Sequence, residues 1–233
     1  MNVDIISTSC GNPLETVGRI AGTSYGRTDP KVSRAVNCWR AGHLSVFEHV
    51  SATFAIEGIS RACSHQLVRH RLASFCQRSQ RYTRLEGGDW YVIPPSIAGS
   101  DSEQAYRGYM AYARTRYESL IADGLKPEDA RFVLPEACKT DIAVTMNARE
   151  LMSFCALRLD AHAQWEIREL AGGDAGRAGG TGRPVGRDSR LVPPPGRIAH
   201  TDNRIRRGSL WERKSAPTSS RSSTASTRGT ASS

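Results

Sequence analysis

The sequence lacks the paired cysteines and long apolar runs that mark zinc proteins, disulfide-rich proteins and membrane proteins. Its six cysteines include no C-x-x-C pair, so we expect reduced thiols and neither a zinc site nor a disulfide framework. No segment approaches the roughly 18 consecutive apolar residues of a membrane span. The opening residues, MNVDIISTSCGNP, show no basic flank followed by an apolar core. These absences predict a cytoplasmic protein without a membrane segment.

The glycine-rich signatures of the common nucleotide-binding folds are also missing. There is no G-x-x-x-x-G-K-[ST] loop, no G-x-G-x-x-G turn, and no G-x-S-x-G elbow of the serine hydrolases. His43, Glu48 and His49 do not have the H-E-x-x-H spacing, and no third ligand is evident, so no metal site is predicted. A phosphate-bearing ligand must therefore be held by side chains.

The net charge of +9 is unevenly distributed along the chain. Residues 171–233 hold 12 of the 32 Lys and Arg and 4 of the 23 Asp and Glu, which leaves residues 1–170 at +1. The first 170 residues are therefore electrically balanced. The charge excess belongs to the C-terminal tail.

The tail, residues 171–233, is rich in Gly, Pro, Ser, Thr and Arg and has almost no apolar periodicity. Such a segment buries too little surface to offset its ordering entropy, which predicts disorder. It is either a solvated tail without a dedicated role or a basic segment that contacts nucleic acid non-specifically. Its composition also suggests the hypothesis of a frameshift in a GC-rich gene.

Alternating strand and helix patterns over residues 1–170 predict a single α+β domain without internal repeats. Strands are expected at 3–6, 50–56 and 141–146. Helices are expected at 29–43, 60–68, 101–123 and 127–133, with a last helix beginning near Asn147. Asp29 is the expected cap of the first helix, with Pro30 at its first position. The tyrosines of 101–123 are interpreted as packing residues.

The stretch 69–82, RHRLASFCQRSQRY, concentrates positive charge and hydroxyl groups. Arginine forks bind phosphate through two parallel hydrogen bonds, and Ser hydroxyls add neutral hydrogen bonds to the same oxygens. So polar a segment is poor material for an apolar core face, and it predicts an anion-binding site. Its contributing side chains are Arg69, His70, Arg71, Ser74, Arg78, Ser79, Arg81 and Tyr82.

A second polar group lies in the segment 147–170, NARELMSFCALRLDAHAQWEIREL. If this segment is one continuous helix, Asn147, Leu151, Arg158 and His162 share a face. That face is either a pocket wall or a solvated stripe. In the second case Arg158 and His162 pair with carboxylates such as Glu166 or Glu169. Periodicity alone does not decide between the two.

The spacing R-H-R, seven residues, then S, found at Arg69, His70, Arg71 and Ser79, resembles the signature of the flavin-dependent thymidylate synthases. The upstream segments HLSVFEH and SRACSHQLVRHR and the downstream segments ARFVLP and NARELMSFCALRLDAHAQWEI resemble the same family and follow in its order. The resemblance covers roughly residues 1–170. It implies a thymidylate synthase-complementing-type domain, an antiparallel sheet with flanking helices, assembled as a homotetramer whose active sites are shared between subunits.

The resemblance also implies a reaction, the reductive methylation of dUMP to dTMP. Methylenetetrahydrofolate would supply the carbon, and NADPH would supply the hydride through FAD. No cysteine nucleophile is required, so Cys76, which lies inside the signature, is not expected to be catalytic.

Site residues follow from the resemblance position by position. Arg158 would be the catalytic residue, because a guanidinium against the uracil ring favours ionisation of N3. Arg131 would reach dUMP from a neighbouring subunit, and Ser79 and Arg81 would lie near its phosphate. The implied dUMP-binding residues are Gln66, Leu67, Val68, Arg69, Gln77, Arg78, Ser79, Gln80, Arg81, Arg131 and Arg158. The implied FAD-binding residues are Ser45, Arg69, His70, Arg71, Gln77, Asn147, Ala148, Arg149, Ser153 and His162.

Two departures leave alternatives open. The family continues beyond the WEIRE segment with further helical sequence, whereas this chain has GGDAGRAGG. One alternative is therefore an inactive relic of the enzyme with an altered C-terminus. The other is a basic nucleic-acid-binding protein whose arginines grip the phosphates of a polymer. The balanced charge of residues 1–170 favours the enzyme.

Overall fold

One antiparallel sheet surrounded by helices forms the described part of the chain, which in this computed structural model comprises residues 1–85 and 87–172. The strands are β1 (Asn2–Thr8), β2 (Ser51–Ser60), β3 (Ala73–Gln77) and β4 (Lys139–Asn147). The helices are α1 (Pro13–Thr23), α2 (Val32–Arg40), α3 (Arg61–Leu67), α4 (Glu103–Ala122), α5 (Pro127–Ala130), α6 (Ala148–Arg158) and α7 (Trp165–Ala171). Short 3₁₀ helices occupy Leu44–His49 and Arg131–Val133.

The strand order is β1-β2-β4-β3, with every neighbouring pair antiparallel. The first residue of β2 pairs with Asn147, and the first residue of β3, Ala73, pairs with Met146. A bulge interrupts β2 at Gly58, whose φ of 72° suits a residue without a Cβ. The starts of β2 and β3 and the end of β4 therefore lie at the same end of the sheet.

The main core covers one face of this sheet. Alternate residues of β2 and β4 are buried, as the two-residue period of a strand requires. They pack against apolar residues of α3, α6 and α7, and the largest of the buried side chains are Phe54, Ile56, Ile59, Leu67, Leu151, Phe154, Ile167 and Leu170. Two smaller clusters centre on Trp39 and Phe47 and on Trp90 and Met110.

Most of the predicted elements are confirmed. The three expected strands correspond to β1, β2 and β4, and the helices expected at 60–68, 101–123 and 127–133 correspond to α3, α4 and α5 with its 3₁₀ extension. Helix α1 was not predicted; Asn12 caps it by accepting a hydrogen bond from the Glu15 amide (3.3 Å). Strand β3, which lies inside the signature itself, was not predicted either.

The start of α2 corrects the predicted cap. The helix begins at Val32, after Lys31, and Asp29 lies outside it. The Asp29 carboxylate instead accepts a hydrogen bond from the Arg34 guanidinium at 3.1 Å, and this hydrogen bond lowers the pKa of Asp29. As the packing interpretation expects, Tyr117 is buried and Tyr106 packs against the Trp90 cluster, whereas Tyr109 and Tyr112 are more than half exposed in the single chain.

The predicted last helix is two helices. α6 ends at Arg158 because the Asp160 carboxylate turns the chain by accepting a hydrogen bond from the His162 amide (2.8 Å). α7 then begins at Trp165, and the Gln164 side chain caps it by accepting hydrogen bonds from the Glu166 and Ile167 amides. It includes buried Ala171, one residue past the expected domain boundary at 170. The prediction of a disordered tail at 171–233 concerns residues that, after Gly172, lie outside the described part of the chain.

Neither a disulfide nor a membrane span is found in the described residues. All six cysteines are free, and burial raises the pKa of Cys138 and of Cys155 to about 11. Across residues 1–85 and 87–172, no helix is both long and apolar enough to cross a bilayer.

A buried carboxylate ties α7 to the start of α3. Glu166 accepts hydrogen bonds from the Ser60 amide (2.7 Å) and from the Ser60 hydroxyl (2.5 Å). The same hydroxyl caps α3 by accepting from the Cys63 amide at 3.0 Å. Because α3 leads directly into the signature, this contact fixes where the anion-binding segment begins. Burial raises the pKa of Glu166, although the Ser60 hydrogen bonds oppose this shift.

We expect Glu166→Ala to lower the free energy of unfolding by about 1–3 kcal/mol, because it leaves the buried Ser60 amide without an acceptor. Urea unfolding followed by circular dichroism measures this loss. Glu169→Ala, the same change one turn of α7 later at a half-buried carboxylate, is the control and should cost less. Equal losses for the two variants would contradict a specific role for Glu166.

Candidate functional site

The first group of site residues, called here the Arg158 cluster, consists of Gln66, Arg69, His70, Glu150 and Arg158. The Arg158 guanidinium donates from Nε to His70 Nε2 (3.1 Å) and from one Nη to the Gln66 carbonyl (3.1 Å). His70 Nδ1 lies 2.9 Å from the Glu150 carboxylate. The end of α6 is thus joined to the residues that follow α3.

Positive charge dominates the exposed side of this cluster. Burial lowers the pKa of Arg158, and repulsion from nearby Arg69 lowers it further. A guanidinium nevertheless stays protonated in proteins. Among the described residues, neither Arg69, Arg71 nor Arg158 forms an ion pair with a carboxylate. Three uncompensated guanidiniums favour an anionic ligand.

The Arg81 cluster, defined as Ser79, Arg81, Glu128 and Arg131, lies beyond the other end of β3. The Arg81 guanidinium donates to the Glu128 carboxylate at 2.9–3.0 Å, which raises the pKa of Arg81. Arg131 Nε donates to the Glu128 backbone carbonyl (3.1 Å). The Ser79 hydroxyl accepts from the Arg81 amide at 3.1 Å. Glu128 therefore joins Arg81, which is expected at the phosphate, to Arg131, which is expected to reach dUMP from a neighbouring subunit.

The Arg149 cluster, defined as Glu48, Asn147, Arg149 and Ser153, surrounds the first turns of α6. Asn147 caps the helix by accepting from the Glu150 amide (2.8 Å). The exposed Arg149 pairs with Glu48 of the 3₁₀ helix that also carries Ser45. The Ser153 hydroxyl donates to the Arg149 carbonyl at 3.1 Å. An exposed guanidinium beside the positive end of a helix suits an anion.

Gln77 anchors the end of β3 between its neighbours. Its side-chain amide donates to the Ser64 hydroxyl (2.8 Å) and to the Thr140 hydroxyl (3.3 Å). Arg78, the next residue, lies 3.5 Å from the Asp141 carboxylate, and its carbonyl accepts from Arg61 at 2.7 Å. Both contacts fix the path of the chain into Ser79.

Some of the expected site residues lie apart from these groups. His162 is almost fully exposed after the end of α6 and pairs with Asp160, so it does not share a face with Arg158. The alternative pairing of Arg158 with Glu166 or Glu169 is also wrong, since Arg158 binds His70 and Gln66. Leu67 is buried in the main core. The remaining expected residues are sequence neighbours of members of the three clusters; they are Val68, Arg71, Gln80 and Ala148.

Two acidic residues were missed by the sequence analysis. Glu150 carried a usable signal, because an Asn followed three residues later by Glu is a capping pattern. That pattern predicts a contact with the helix start, whereas the carboxylate reaches His70. Glu128 carried no signal, since nothing in its local sequence shows that α5 packs beside Arg81. Within 1–85 and 87–172, no group of three potential metal ligands lies together.

The fold and the three clusters define a class, an α+β protein with an antiparallel sheet and a cationic site suited to an anionic ligand. Residues 6–173 match the family described as thymidylate synthase complementing protein. The chain belongs to this family, as the signature in the sequence predicts.

Curated relatives agree with this assignment. The chain is 54% identical over 132 residues to a flavin-dependent thymidylate synthase of Geobacter sulfurreducens, which covers 56% of this chain and 57% of the relative. It is 52% identical over 135 residues to the enzyme of the same name from Pyrococcus furiosus, with 56% and 55% covered. The chain thus spans little more than half the length of these relatives.

Solved structures show the same fold. The flavin-dependent thymidylate synthase ThyX of Helicobacter pylori, crystallised with FAD and dUMP, superposes with a TM-score of 0.61 and 26% identity. The alignment covers 73% of this chain and 90% of that structure. The expectation of an antiparallel sheet with flanking helices is confirmed.

We expect Arg149→Ala to change the free energy of unfolding by less than about 1 kcal/mol, because its pair with Glu48 joins two side chains that are each nearly half exposed. Urea unfolding checks this value. Arg114→Ala, which breaks another partly exposed ion pair, on α4, is the comparison. A loss of several kcal/mol at Arg149 alone would show that this residue has a structural role.

Proposed function

We propose that the protein converts dUMP to dTMP, with methylenetetrahydrofolate as the carbon donor and NADPH as the reductant through FAD. The observation that carries this proposal is the Arg158 cluster, which places an uncompensated guanidinium against the signature histidine. Membership of the family and the H. pylori complex with FAD and dUMP support the same choice of ligands.

The residues near the Arg149 cluster fit the chemistry of FAD. A dinucleotide carries a diphosphate, which exposed cations can bind. Arg149 is the second residue of α6, and the exposed Arg69 and Arg71 flank His70, which contacts Glu150 of the same helix. Ser45, His70, Gln77, Asn147, Ala148 and Ser153 would complete the FAD contacts, with the exposed His162 at the flavin edge. When bound, the flavin would carry the hydride from NADPH towards the one-carbon unit.

Arg158 would act on the uracil ring of dUMP. Two of the five N–H donors of its guanidinium are taken by His70 and Gln66, which leaves three for a ligand. A fixed cation beside the ring stabilises the negative charge that develops when N3 loses its proton. The chain thus supplies orientation and electrostatic stabilisation, while the redox chemistry belongs to the cofactor. Gln66, Val68 and Arg69 would border the same ring, and the buried Leu67 would contribute its backbone alone.

The dUMP phosphate would bind at the Arg81 cluster. The expected phosphate-binding segment begins at Gln77, the last residue of β3, and continues through Arg78, Ser79, Gln80 and Arg81. Arg131 contacts this segment through Glu128, which binds Arg81. His70 precedes β3 and Ser79 follows it, and a strand of five residues spans roughly 17 Å. No hydrogen bond or ion pair between described residues joins the Arg81 cluster to the Arg158 cluster. As the family resemblance implies, one nucleotide would take its contacts from two copies of the chain, in a homotetramer with shared active sites.

We expect Arg158→Ala to lower the rate of dUMP-dependent NADPH oxidation by about 100- to 1000-fold, because it removes the charge that stabilises the ionised ring. The assay follows NADPH absorbance with methylenetetrahydrofolate present, and the visible spectrum of the purified protein reports bound flavin. Arg116→Ala, at an exposed arginine on α4, is the control and should keep full activity.

Three outcomes separate the possibilities. A colourless wild-type protein that is folded and tetrameric but inactive would contradict the proposed enzyme and favour an inactive relic. Tight binding to DNA or RNA that weakens steeply with salt would favour the nucleic-acid-binding alternative. An aggregated protein would point to the altered C-terminal sequence as the defect.

Sharing of the site between subunits predicts complementation between inactive variants. Arg158→Ala and Arg131→Ala should each be nearly inactive alone. When the two are mixed, unfolded and refolded together, about a quarter of the sites would carry both intact arginines from different subunits, and activity should return in that proportion. A mixture of Arg158→Ala with Arg158→Lys is the control and should gain nothing. No recovery in refolded tetramers would show that both arginines come from one subunit.

A further inference from the structure

A buried series of hydrogen bonds runs from Glu150 through His70 to Arg158. His70 is 7% exposed and Glu150 is 8% exposed, so both lie out of water. The two links measure 2.9 Å and 3.1 Å. The Phe154 ring packs edge-to-face against the imidazole, with centroids 5.1 Å apart, and limits its rotation.

The direction of these hydrogen bonds assigns the His70 tautomer. A guanidinium has only donors, so Arg158 must donate and His70 Nε2 must offer its lone pair. The ring proton then lies on Nδ1 and is donated to Glu150. In the other neutral tautomer, and in the doubly protonated ring, an N–H would face the Arg158 N–H and repel it.

The Glu150 carboxylate does not make the helix-capping contact that its position in α6 predicts. It is the third residue of α6, where a glutamate in a capping box reaches back to the backbone amide of the cap residue. Here Asn147 caps the helix through the Glu150 amide, while the Glu150 carboxylate bonds to His70. Helix capping therefore leaves this carboxylate unexplained.

We propose that Glu150 is a positioning residue for Arg158 and acts through His70, a role that rests on the proposed function. The carboxylate keeps the ring proton on Nδ1, and the free Nε2 lone pair then fixes the plane of the guanidinium. The orientation of the three unused N–H donors of Arg158 is thereby fixed for the uracil ring. Misplacement of such a group by about 1 Å costs on the order of a hundredfold in rate.

A purely structural role makes different predictions. If the buried pair only closes the core beside Phe154, its loss lowers stability, and the rate per folded protein stays the same. The rate per folded protein would then be unchanged by Glu150→Gln whichever residue occupies position 70. A double-mutant cycle separates these two readings.

The cycle combines Glu150→Gln with His70→Gln. Glu150→Gln keeps the size of the side chain but removes the charged acceptor, so we expect kcat per folded protein to fall about 10- to 100-fold. His70→Gln places a carbonyl oxygen near the position of Nε2, where it accepts from Arg158 without reference to Glu150. In that background, Glu150→Gln should cost less than about threefold more. Glu118→Gln, at an exposed glutamate on α4, is the matched control.

Nitrogen-15 NMR of histidine-labelled, ligand-free protein gives a readout that does not depend on turnover. The His70 signals, assigned by their loss in His70→Gln, should show a protonated Nδ1 and an unprotonated Nε2. Glu150→Gln should shift the ring towards a mixture of tautomers, whereas Glu118→Gln should not.

Each result decides one question. An equal rate loss for Glu150→Gln in both backgrounds would overturn the proposal, and so would a wild-type His70 ring protonated on Nε2. A folded, tetrameric wild-type protein without dUMP-dependent turnover would overturn the proposed function. In that case the NMR measurement still decides whether Glu150 sets the tautomer of His70.

Discussion

The pairing register of β4 with β2 and β3 is the constraint on which the site depends. Ser51 and Ala73 pair with Asn147 and Met146, so the segments before β2 and before β3 meet the segment after β4 at one end of the sheet. These segments carry the 3₁₀ helix of Ser45, the signature and α6. A shift of one residue would turn every side chain of a strand to the opposite face and expose the core, so burial of that face holds the register.

The same register explains why the site residues occur so far apart in the sequence. Ala73 is three residues after His70, and Met146 is four residues before Glu150, so their pairing brings an imidazole and a carboxylate together across 80 positions. The contact between Ser60 and Glu166 then fixes the other end of α3. The chemistry is thus assembled by backbone pairing, and the buried polar contacts select one arrangement among those the sheet allows.

The sequence pattern predicted the strands and helices that have a regular apolar periodicity or a recognisable cap. It did not predict elements whose composition obscures that periodicity. β2 and β4 alternate apolar and polar residues, and α3 has a serine cap, so all three were predictable. β3 was hidden because ASFCQ is short, half-buried and surrounded by arginines. The end of α6 was hidden because the stop is made by the Asp160 side chain, without Gly or Pro. Arg158 and the signature were predictable from the family resemblance, whereas Glu128 and Glu150 depend on tertiary contacts.

Within the described part of the chain, the Arg158 cluster holds two guanidiniums close together without a carboxylate partner for either of them. Burial and the repulsion from Arg69 both lower the pKa of Arg158, so the charged guanidinium is less favourable there than in water. An anionic ring bound between the two arginines, as proposed, would relieve that repulsion, and binding energy that depends on ligand ionisation is the kind that accelerates a reaction. The repulsion between Arg69 and Arg158 therefore favours the proposed binding of an ionised ring at this site.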